Sequence, residues 1–380
     1  MRILLINHGT AGQFGGGDGT QIRNTAQQLR AVGHDVSMVN SDEPDVRGFD
    51  IAHIFNCRVV ESFIKQMNCC LQAGIPTVVS PIWINIPKAL WGSRGTMGVL
   101  SALQTEITPD HLTNLERLKT QELVVSLPEG TVDAKGSGSG HFNWMQSVGQ
   151  LLQRADGLLP NSWLELKAVQ NDLGWSGDCF EVAHYGVDPE IFLDADPEPF
   201  RQATGIQGPF VVQGGRIEPA KNQAMLCWAL RNTNLPVVFI GSGKNWPSYP
   251  ELCKQFLGDR LTIIEHLPQP MLASAFAAAR VHVLPSWMET CGLVTLEAAL
   301  TGTPVVGSTF GHELEYLRQD TWWCNPGDPD SVKHAVEQAW SAGRDHSKAN
   351  KLKARILSDF TWQNTAQATE KLYLRVLCRH

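Results

Sequence analysis

Residues 281–300 read VHVLPSWMETCGLVTLEAAL and contain a complete strand–loop–helix pattern. A short apolar run rich in β-branched residues, 281–284, ends at Pro285 and Ser286, and a helical pattern begins near Leu293. The same order of short buried strand and helix recurs along most of the chain. Because strands that alternate with helices are typical of a parallel sheet covered on both faces, the sequence predicts an α/β protein.

The strand pattern occurs in two blocks separated by a polar, proline-rich segment, 188–199. In the first block a helix is predicted at 20–32, and strands are predicted at 2–6, 35–39, 51–55 and 77–79. In the second block, strands are predicted at 210–213, 236–240, 261–264, 281–284 and 304–306. A chain of 380 residues is also longer than one core usually supports. The sequence therefore predicts two α/β domains, with a cleft between them in which a ligand binds.

The composition excludes several classes of protein. The net charge is −7, from 31 basic and 38 acidic side chains, whereas a nucleic-acid-binding protein is expected to have a basic excess. The 9 cysteines include no Cys-x-x-Cys pair, which indicates reduced thiols in a cytoplasmic protein. No apolar run reaches about 18 residues, so no membrane-spanning helix is predicted. We therefore expect a cytoplasmic protein without a nucleic-acid partner or a transmembrane segment.

Residues 87–141 do not follow the alternation of strands and helices. Their apolar residues are scattered, and the glycine–serine run in KGSGSG at 135–140 has little that could pack. We expect an insertion in the first domain that shapes or covers a substrate site, with a plain surface excursion as the alternative. Lys88, Trp91 and Arg94 flank apolar residues here, a pattern compatible with peripheral contact to the inner membrane surface or with a buried helix.

Residues 12–20, GQFGGGDGT, form a glycine-rich segment between the first strand and the first helix. Their spacing does not satisfy the dinucleotide fingerprint Gly-x-Gly-x-x-Gly, and the chain contains no P-loop motif. Glycines still let backbone N–H groups approach an anion closely, and a helix N-terminus follows. The segment is therefore a candidate anion site, and a tight turn without a ligand is the alternative.

Two glutamates follow the strand at 281–284. Glu289 lies in the loop at the carboxyl end of that strand, and Glu297 lies near the beginning of the next helix, where negative charge is favoured. Carboxylates in these positions can accept hydrogen bonds from sugar hydroxyls. The backbone amides of residues 290–293 can hold an anion beside them. The alternative is a pair of isolated surface glutamates.

A second charged motif, GGRIEPAKN at 214–222, follows the first strand of the second block. Arg216 offers a planar fork of donors and Lys221 a point charge, a combination that suits a diphosphate. The carboxyl ends of parallel strands meet at one edge of a sheet. We therefore expect Arg216 and Lys221 to lie near Glu289 and Glu297, although a basic pair of this kind, taken alone, is often only solvated.

These motifs together resemble those of the GT-B retaining glycosyltransferases of family four. GRIEPAKN resembles the family's Gly-Arg…Lys diphosphate motif, and PSWMETCGLVTLEAAL resembles its Pro-Ser…Glu-x-x-Gly-Leu…Glu-Ala signature. Further landmarks occur in the family's order: VAHYGVDPEIF, GTPVVGSTFGHELE, NPGDPDSV and FTWQNTAQATEKLY. The resemblance covers nearly the whole chain.

The resemblance implies two facing Rossmann-like domains with a cleft between them. The first, at 1–190, would bind the acceptor, and the second, at 200–359, would bind a nucleotide sugar. A C-terminal helix at 357–377 would cross back, so that about 360–380 would belong to the first domain. The implied activity is that of a hexosyltransferase, which moves a hexose from a UDP- or GDP-linked sugar to a hydroxyl of a glycan, lipid-linked or small-molecule acceptor.

The resemblance also implies roles for individual residues. Arg216 and Lys221 would bind the donor diphosphate, Glu297 the ribose and Glu289 the transferred sugar, so that Arg216, Lys221 and Glu289 form the catalytic set. Gly16 and Gly17 would correspond to the glycine loop that faces the diphosphate. The donor-binding set is completed by the neighbours of these residues: Gly215, Thr290, Cys291, Gly292 and Leu293.

The acceptor side departs from the family pattern. Many members have a histidine after the fourth strand, whereas this chain has Ser80, Pro81, Ile82 and Trp83 there. Trp83 is a candidate sugar platform, with a core tryptophan as the alternative. His141 is a second acceptor candidate, and His53 is expected to be a packed core residue.

No metal and no cofactor are expected. The two Asp-x-Asp pairs, 194–196 and 328–330, lie in the linker and in a proline turn, so both are interpreted as fortuitous. The alternatives to glycosyl transfer are a nucleotide-sugar 2-epimerase or another enzyme of the GT-B fold, such as a phosphorylase, and a non-catalytic sugar-nucleotide-binding protein. An NAD-dependent oxidoreductase is disfavoured because the fingerprint is broken.

Overall fold

The computed structural model describes residues 1–11, 17–102, 113, 114, 116, 119 and 144–380. Two predicted site residues, Gly16 and His141, and most of the segment 87–141 lie outside this part of the chain. The described strands are β1 Arg2–Asn7, β2 Asp35–Asn40, β3 Ile51–Phe55, β4 Thr77–Ser80, β5 Gly157–Leu158, β6 Val211–Gly214, β7 Val237–Ile240, β8 Leu261–Ile264, β9 Val281–Leu284, β10 Val305–Ser308 and β11 Trp322–Cys324.

The helices alternate with these strands, as predicted. In chain order, the helices that we label are α1 Gly17–Ala31, α2 Val60–Ala73, α3 Ile86–Ala102, α4 Trp144–Leu152, α5 Trp163–Leu173, α6 Pro189–Phe192, α7 Glu198–Thr204, α8 Gln223–Leu230, α9 Ser248–Leu257, α10 Gln269–Ala278, α11 Leu293–Leu300, α12 Glu313–Leu317, α13 Pro329–Ala342, α14 Ser347–Asp359 and α15 Trp362–Leu377. None of the helices in the described part is long and apolar enough to cross a membrane.

The chain divides into two compact units, each with its own parallel sheet. The first unit contains the described residues of Met1–Asn85 and Glu129–Gly186 together with Asp359–His380, and its sheet has the order β2-β1-β3-β4-β5. The second contains the described residues of Ile86–Pro128 together with Val187–Ser358, and its sheet has the order β11-β10-β9-β6-β7-β8. Two Rossmann-like α/β units are therefore present, as the fold prediction requires.

The core of the first unit is built from its central strands and its C-terminal helix. Every residue of β3 and β4 is buried, as expected for parallel strands covered on both faces. Helix α15 is capped by Thr361, whose side chain accepts a hydrogen bond from the Asn364 N–H. It packs against α1, and its buried side chains Ala366, Leu372, Tyr373 and Val376 complete the core beneath the sheet. The last helix thus belongs to the first unit.

Helix α3 belongs to the second unit, contrary to the expectation that 87–141 is an insertion in the first domain. Leu100 is fully buried in the core that surrounds β6 and β9. The indole N–H of Trp287 donates to Thr96 Oγ1 at 3.1 Å, and Gly92 lets the Trp287 ring lie directly against the helix backbone. A side chain at position 92 would collide with that ring, since a Cβ there would lie 2.3 Å from it.

The predicted linker, 188–199, contains helix α6 and the beginning of α7. Asp188 caps α6 by accepting from the Glu190 N–H at 3.0 Å, and Pro189 occupies the first helical position, where a missing N–H costs nothing. The division between the units falls at Gly186 and Val187, next to this segment. Strand β11 is an addition to the prediction.

Candidate functional site

The carboxyl ends of β6 and β9 are tied together by the backbone of the 3-10 turn Pro219–Lys221. The carbonyl of Ala220 accepts from the Trp287 N–H and from Ser286 Oγ, both at 2.8 Å. Asn222 adopts a left-handed conformation, with φ of 62°, and its side chain donates to the carbonyls of Pro285 and Pro326. The loops that carry the predicted basic and acidic residues are therefore fixed to each other before any ligand is bound.

Lys221 and Glu289 form a direct ion pair at this edge. The ammonium of Lys221 donates to Glu289 Oε1. The two side chains are only 17% and 9% exposed. Sequence reasoning expected these residues near each other, and they lie in contact. Since a shielded cation paired with a carboxylate can be taken over by a stronger anion, the pair is suited to hold a positive charge ready for a ligand.

Arg216 lies at the same edge but in a wetter environment. Gly215, whose φ of 117° suits glycine, follows β6, and Arg216 comes directly after it. The guanidinium makes a bidentate contact with the carboxylate of Glu218 at 3.1 and 3.0 Å, and the Arg216 side chain is 45% exposed. The fork of donors is thus preoriented by a carboxylate, as in the Lys221 pair, but with less burial.

The turn before α11 presents backbone amides beside this pair. Thr290, Cys291 and Gly292 lead into the helix, which begins at Leu293. Gly292 has φ of 66° and provides no side-chain cap, so the first-turn amides of α11 have no cap hydrogen bond from that position. Such a helix beginning is a suitable place for an anion.

Glu297 lies one turn into α11 and is partly buried. Burial raises the pKa of Glu297 to about 7. Within the described residues, no hydrogen bond to its carboxylate is formed. A carboxyl group with free acceptor capacity near neutrality can bind the hydroxyls of a ligand.

Two neighbouring residues were not found by sequence reasoning, which noted GHELE only as a landmark. The N–H of His312 donates to the carbonyl of Glu289 at 3.2 Å, so the loop after β10 is joined to the loop after β9. Glu313 is fully buried, and its Oε1 accepts a hydrogen bond from the Ser308 N–H at 2.6 Å. Nothing in the local pattern distinguishes this buried glutamate from an exposed one at a helix beginning.

In the first unit, the described end of the glycine-rich segment is bound to the loop after β3. Gly17 begins α1, and the carboxylate of Asp18 accepts from Asn56 Nδ2 and lies 3.6 Å from Arg58 Nη2. Asn56 has φ of 73°, a conformation in which asparagine is tolerated better than most residues. The Asp18–Asn56–Arg58 cluster was not anticipated from the sequence.

The prediction that Trp83 offers an open sugar platform is wrong. Trp83 is fully buried, and its indole N–H donates to Asp172 at 2.9 Å. Its backbone N–H donates to the buried carboxylate of Glu165, which also accepts from the Asn161 N–H, and Ser162 caps α5 by accepting from the Glu165 N–H. The alternative interpretation, a core tryptophan, is therefore correct.

His53 is a packed core residue, as expected. Its ring nitrogens contact the Tyr373 hydroxyl at 2.6 Å and Ser80 Oγ at 2.9 Å, and burial lowers the pKa of His53 to about 3.

The two Asp-x-Asp pairs have structural contacts. Asp328 caps α13 by accepting from the Asp330 N–H, and Asp194 pairs with Lys353 at 3.4 Å. In the part of the chain that the structure describes, no cluster of three or more His, Cys, Asp or Glu side chains has the arrangement of a metal site.

Comparison with known proteins identifies a matching family model and several curated relatives. Residues 196–356 match the family model described as glycosyl transferases group 1. The D-inositol 3-phosphate glycosyltransferase of Kribbella flavida is 33% identical over 243 residues, which are 59% of this chain and 57% of that protein. The protein of the same name from Mycobacterium bovis is 30% identical over 264 residues, 64% of this chain and 54% of that protein. The chain thus spans just over half the length of the curated relatives it matches.

Solved structures resemble the chain over its whole length. Sucrose-phosphate synthase from Thermosynechococcus elongatus has a TM-score of 0.75 at 16% identity and covers 100% of both chains. The HepE protein of Anabaena, solved in complex with UDP, has a TM-score of 0.71 at 16% identity over 99% of this chain and 100% of that chain. The chain therefore has the GT-B fold, and its residues 196–356 match the model of the glycosyl transferases group 1 family.

Proposed function

We propose that this protein is a retaining glycosyltransferase that transfers a hexose from a nucleoside-diphosphate sugar to a hydroxyl acceptor. The observation that carries the proposal is the Lys221–Glu289 ion pair, held beside the uncapped beginning of α11 by the turn at Ala220. A shielded cation, a second cation and a set of backbone amides at one sheet edge match the charge that departs with a nucleoside diphosphate.

The proposed roles follow from the chemistry of each group. Lys221 exchanges Glu289 for a diphosphate oxygen, and Arg216 adds a planar fork of donors as charge grows on the leaving oxygen. Glu289, once released by Lys221, accepts hydrogen bonds from the transferred sugar. Glu297 accepts hydrogen bonds from the ribose hydroxyls, for which its carboxyl group has free capacity.

The configuration at the anomeric carbon is proposed to be retained by attack from the face that the diphosphate leaves. In this scheme the departing phosphate oxygen takes the proton of the acceptor hydroxyl, so no side chain has to act as a covalent nucleophile. The two cations and the α11 amides neutralise the leaving group, and we propose that no metal and no cofactor take part.

The donor proposed for the first test is UDP-glucose. HepE was solved with UDP and with UDP-glucose, and the fold is shared. Several curated relatives are named D-inositol 3-phosphate glycosyltransferases, so a phosphorylated polyol is the first acceptor to test. We propose that the protein works in the cytoplasm. Peripheral membrane contact through Trp91 and Arg94 is testable by sedimentation with anionic vesicles.

The test begins with a thermal-shift series of UDP, GDP and ADP, since a ligand that binds the native state raises its melting temperature. UDP release from UDP-glucose is then measured with and without D-inositol 3-phosphate and other hydroxyl acceptors. Acceptor-dependent UDP release with a retained anomeric configuration supports the proposal. Release without an acceptor and with epimerised sugar would indicate a 2-epimerase, and binding without turnover of any donor would indicate a non-catalytic binding protein.

A further inference from the structure

Glu313 is a fully buried carboxyl group in the middle of the candidate donor site. It is the first residue of α12, a helix of 5 residues that follows β10. Its neighbour His312 is hydrogen-bonded to the Glu289 backbone, so Glu313 belongs to the same tied set of loops as the Lys221–Glu289 pair. The roles proposed above make no use of it.

The two oxygens of this carboxyl group differ. Oε1 accepts from the Ser308 N–H at 2.6 Å. Oε2 is buried and has no hydrogen-bond partner among the residues that the structure describes. It lies against the turn before α11, because a Cβ added to Gly292 would come within 2.7 Å of it. A buried polar atom left without a partner costs free energy, so its retention at the turn that presents the α11 amides needs a reason.

Burial is the main factor that opposes the ionisation of Glu313. Burial and the Glu289 carboxylate raise its pKa well above the usual value, whereas the Ser308 N–H and Lys221 act in the opposite direction. The Cys324 thiol also faces this carboxyl group and is itself buried, so its pKa is raised as well. The titratable groups that face Glu313 are therefore Glu289, Lys221 and Cys324.

An uncharged Glu313 has a consequence for the donor. If Lys221 leaves Glu289 for a diphosphate, two carboxyl groups remain close together beside an incoming anion. Two buried carboxylates in that position would repel each other and the diphosphate. An uncharged second carboxyl group removes this repulsion and leaves the positive charge of Lys221 available.

We propose that Glu313 is a positioning residue of the donor site that works as an uncharged carboxylic acid, packed against the Gly292 turn and leaving the charge of Lys221 to the diphosphate. This inference rests on the proposed function and deepens it. Gly292 leaves the space that Glu313 Oε2 occupies, since any side chain at position 292 would displace this oxygen.

The test compares two variants. Glu313→Gln imitates the uncharged carboxyl group, whereas Glu313→Ala removes both the hydrogen bond from Ser308 and the packing against Gly292. UDP affinity is measured by calorimetry between pH 7 and pH 9.5. At any pH at which Glu313 ionises, the wild type is expected to lose affinity roughly tenfold, because a unit charge is added near the diphosphate. The Gln variant is expected to bind UDP within about twofold of the wild type at pH 7 and to lack this alkaline loss. The Ala variant is expected to bind more weakly at every pH.

Glu337→Gln is the matched control, because Glu337 is a surface carboxylate of the same unit, paired with Lys333 on α13. It is expected to behave as the wild type does. The proposal is overturned if Glu313→Gln shows the same alkaline loss as the wild type, or if it binds UDP at pH 7 as weakly as Glu313→Ala.

A second readout separates this proposal from the proposed function. A raised pKa in the folded chain means that the stabilisation present at acid pH is lost as the pH rises past the unfolded value, and glutamine has no proton to lose. Without nucleotide, the melting temperature of Glu313→Gln minus that of the wild type should therefore increase as the pH rises from 5 to 8. If the wild type bound no nucleoside diphosphate, the proposed role in donor binding would be wrong. If the difference in melting temperature between the variant and the wild type did not change with pH, the proposal that Glu313 is uncharged would be wrong as well.

Discussion

Lys221–Glu289 and Arg216–Glu218 are cation–carboxylate pairs at the carboxyl edge of the second-unit sheet, and they differ chiefly in burial. Lys221 and Glu289 are almost completely shielded from water, whereas Arg216 is about half exposed and contacts Glu218 two residues away in sequence. An exposed pair contributes little, because water and salt compensate for its loss. A shielded pair is expensive to break from one side only, because it leaves one charge unpaired. The comparison predicts that the two cations contribute unequally to binding and to stability.

Lys221→Ala should have the largest effect. Removal of the ammonium leaves Glu289 buried without its partner and removes the charge proposed for the diphosphate. We expect turnover to fall by about 100- to 1,000-fold. The free energy of unfolding should fall by about 3 kcal/mol. Steady-state kinetics and urea denaturation measure the two effects.

The matched control for this variant is Lys254→Ala, which removes an exposed lysine paired with Glu251 on α9. Its unfolding free energy should change by less than about 1 kcal/mol. Equal losses in the two lysine variants would remove the distinction between shielded and exposed pairs.

Glu297→Gln tests a partly buried carboxyl group that forms no ion pair among the described residues. Because the pKa of Glu297 is raised to about 7 in the folded protein, the stabilisation present below the unfolded value is lost as the pH rises toward 7. Glutamine does not titrate, so the variant should gain about 2 kcal/mol of stability relative to the wild type between pH 4 and pH 8. Denaturant midpoints across this range measure the gain. A difference that is independent of pH would show that Glu297 is not the titrating group.

Arg216→Ala should have a smaller effect than Lys221→Ala. Loss of the exposed guanidinium should weaken UDP binding roughly tenfold and leave the unfolding free energy within about 0.5 kcal/mol of the wild type. Arg201→Ala, which removes an exposed arginine paired with Glu198, serves as the control. A stability loss as large as that of Lys221→Ala would contradict the assigned difference in burial.

Glu218→Gln should have the smallest effect. It releases Arg216 from its bidentate contact without removing the guanidinium. UDP affinity should rise by no more than about threefold, since the exposed pair competes only weakly with the ligand. A large rise would mean that Glu218, and not Glu289, is the main competitor for the diphosphate.

The strands could be predicted from the sequence because their pattern is local. Strands β3, β8 and β9 have the predicted boundaries, since each is a short apolar run that ends at polar or turn residues. Strand β11 was missed because three residues, Trp322–Cys324, are too few to form a periodic pattern. The placement of α3 depends on the contact of Trp287 with Thr96, 191 residues apart, which no local pattern can reveal.

Part of the candidate site could be predicted because the strands before it were recognised. Lys221 and Glu289 follow different strands of one parallel sheet, and topology alone brings such residues to a common edge. Glu313 could not be found, because its burial comes from packing against Gly292 and Gly307 on two other segments. Trp83 has the composition of a sugar platform, yet its orientation is set by Asp172 and Glu165.

The central claim is that Lys221 exchanges Glu289 for the diphosphate, and the UDP affinity of Glu289→Gln tests it most directly. Glutamine keeps the shape but gives up the charge that competes for Lys221. By calorimetry at neutral pH, we predict that this variant binds UDP about tenfold more tightly than the wild type, although its transfer rate falls. Weaker UDP binding by Glu289→Gln than by the wild type would contradict the exchange.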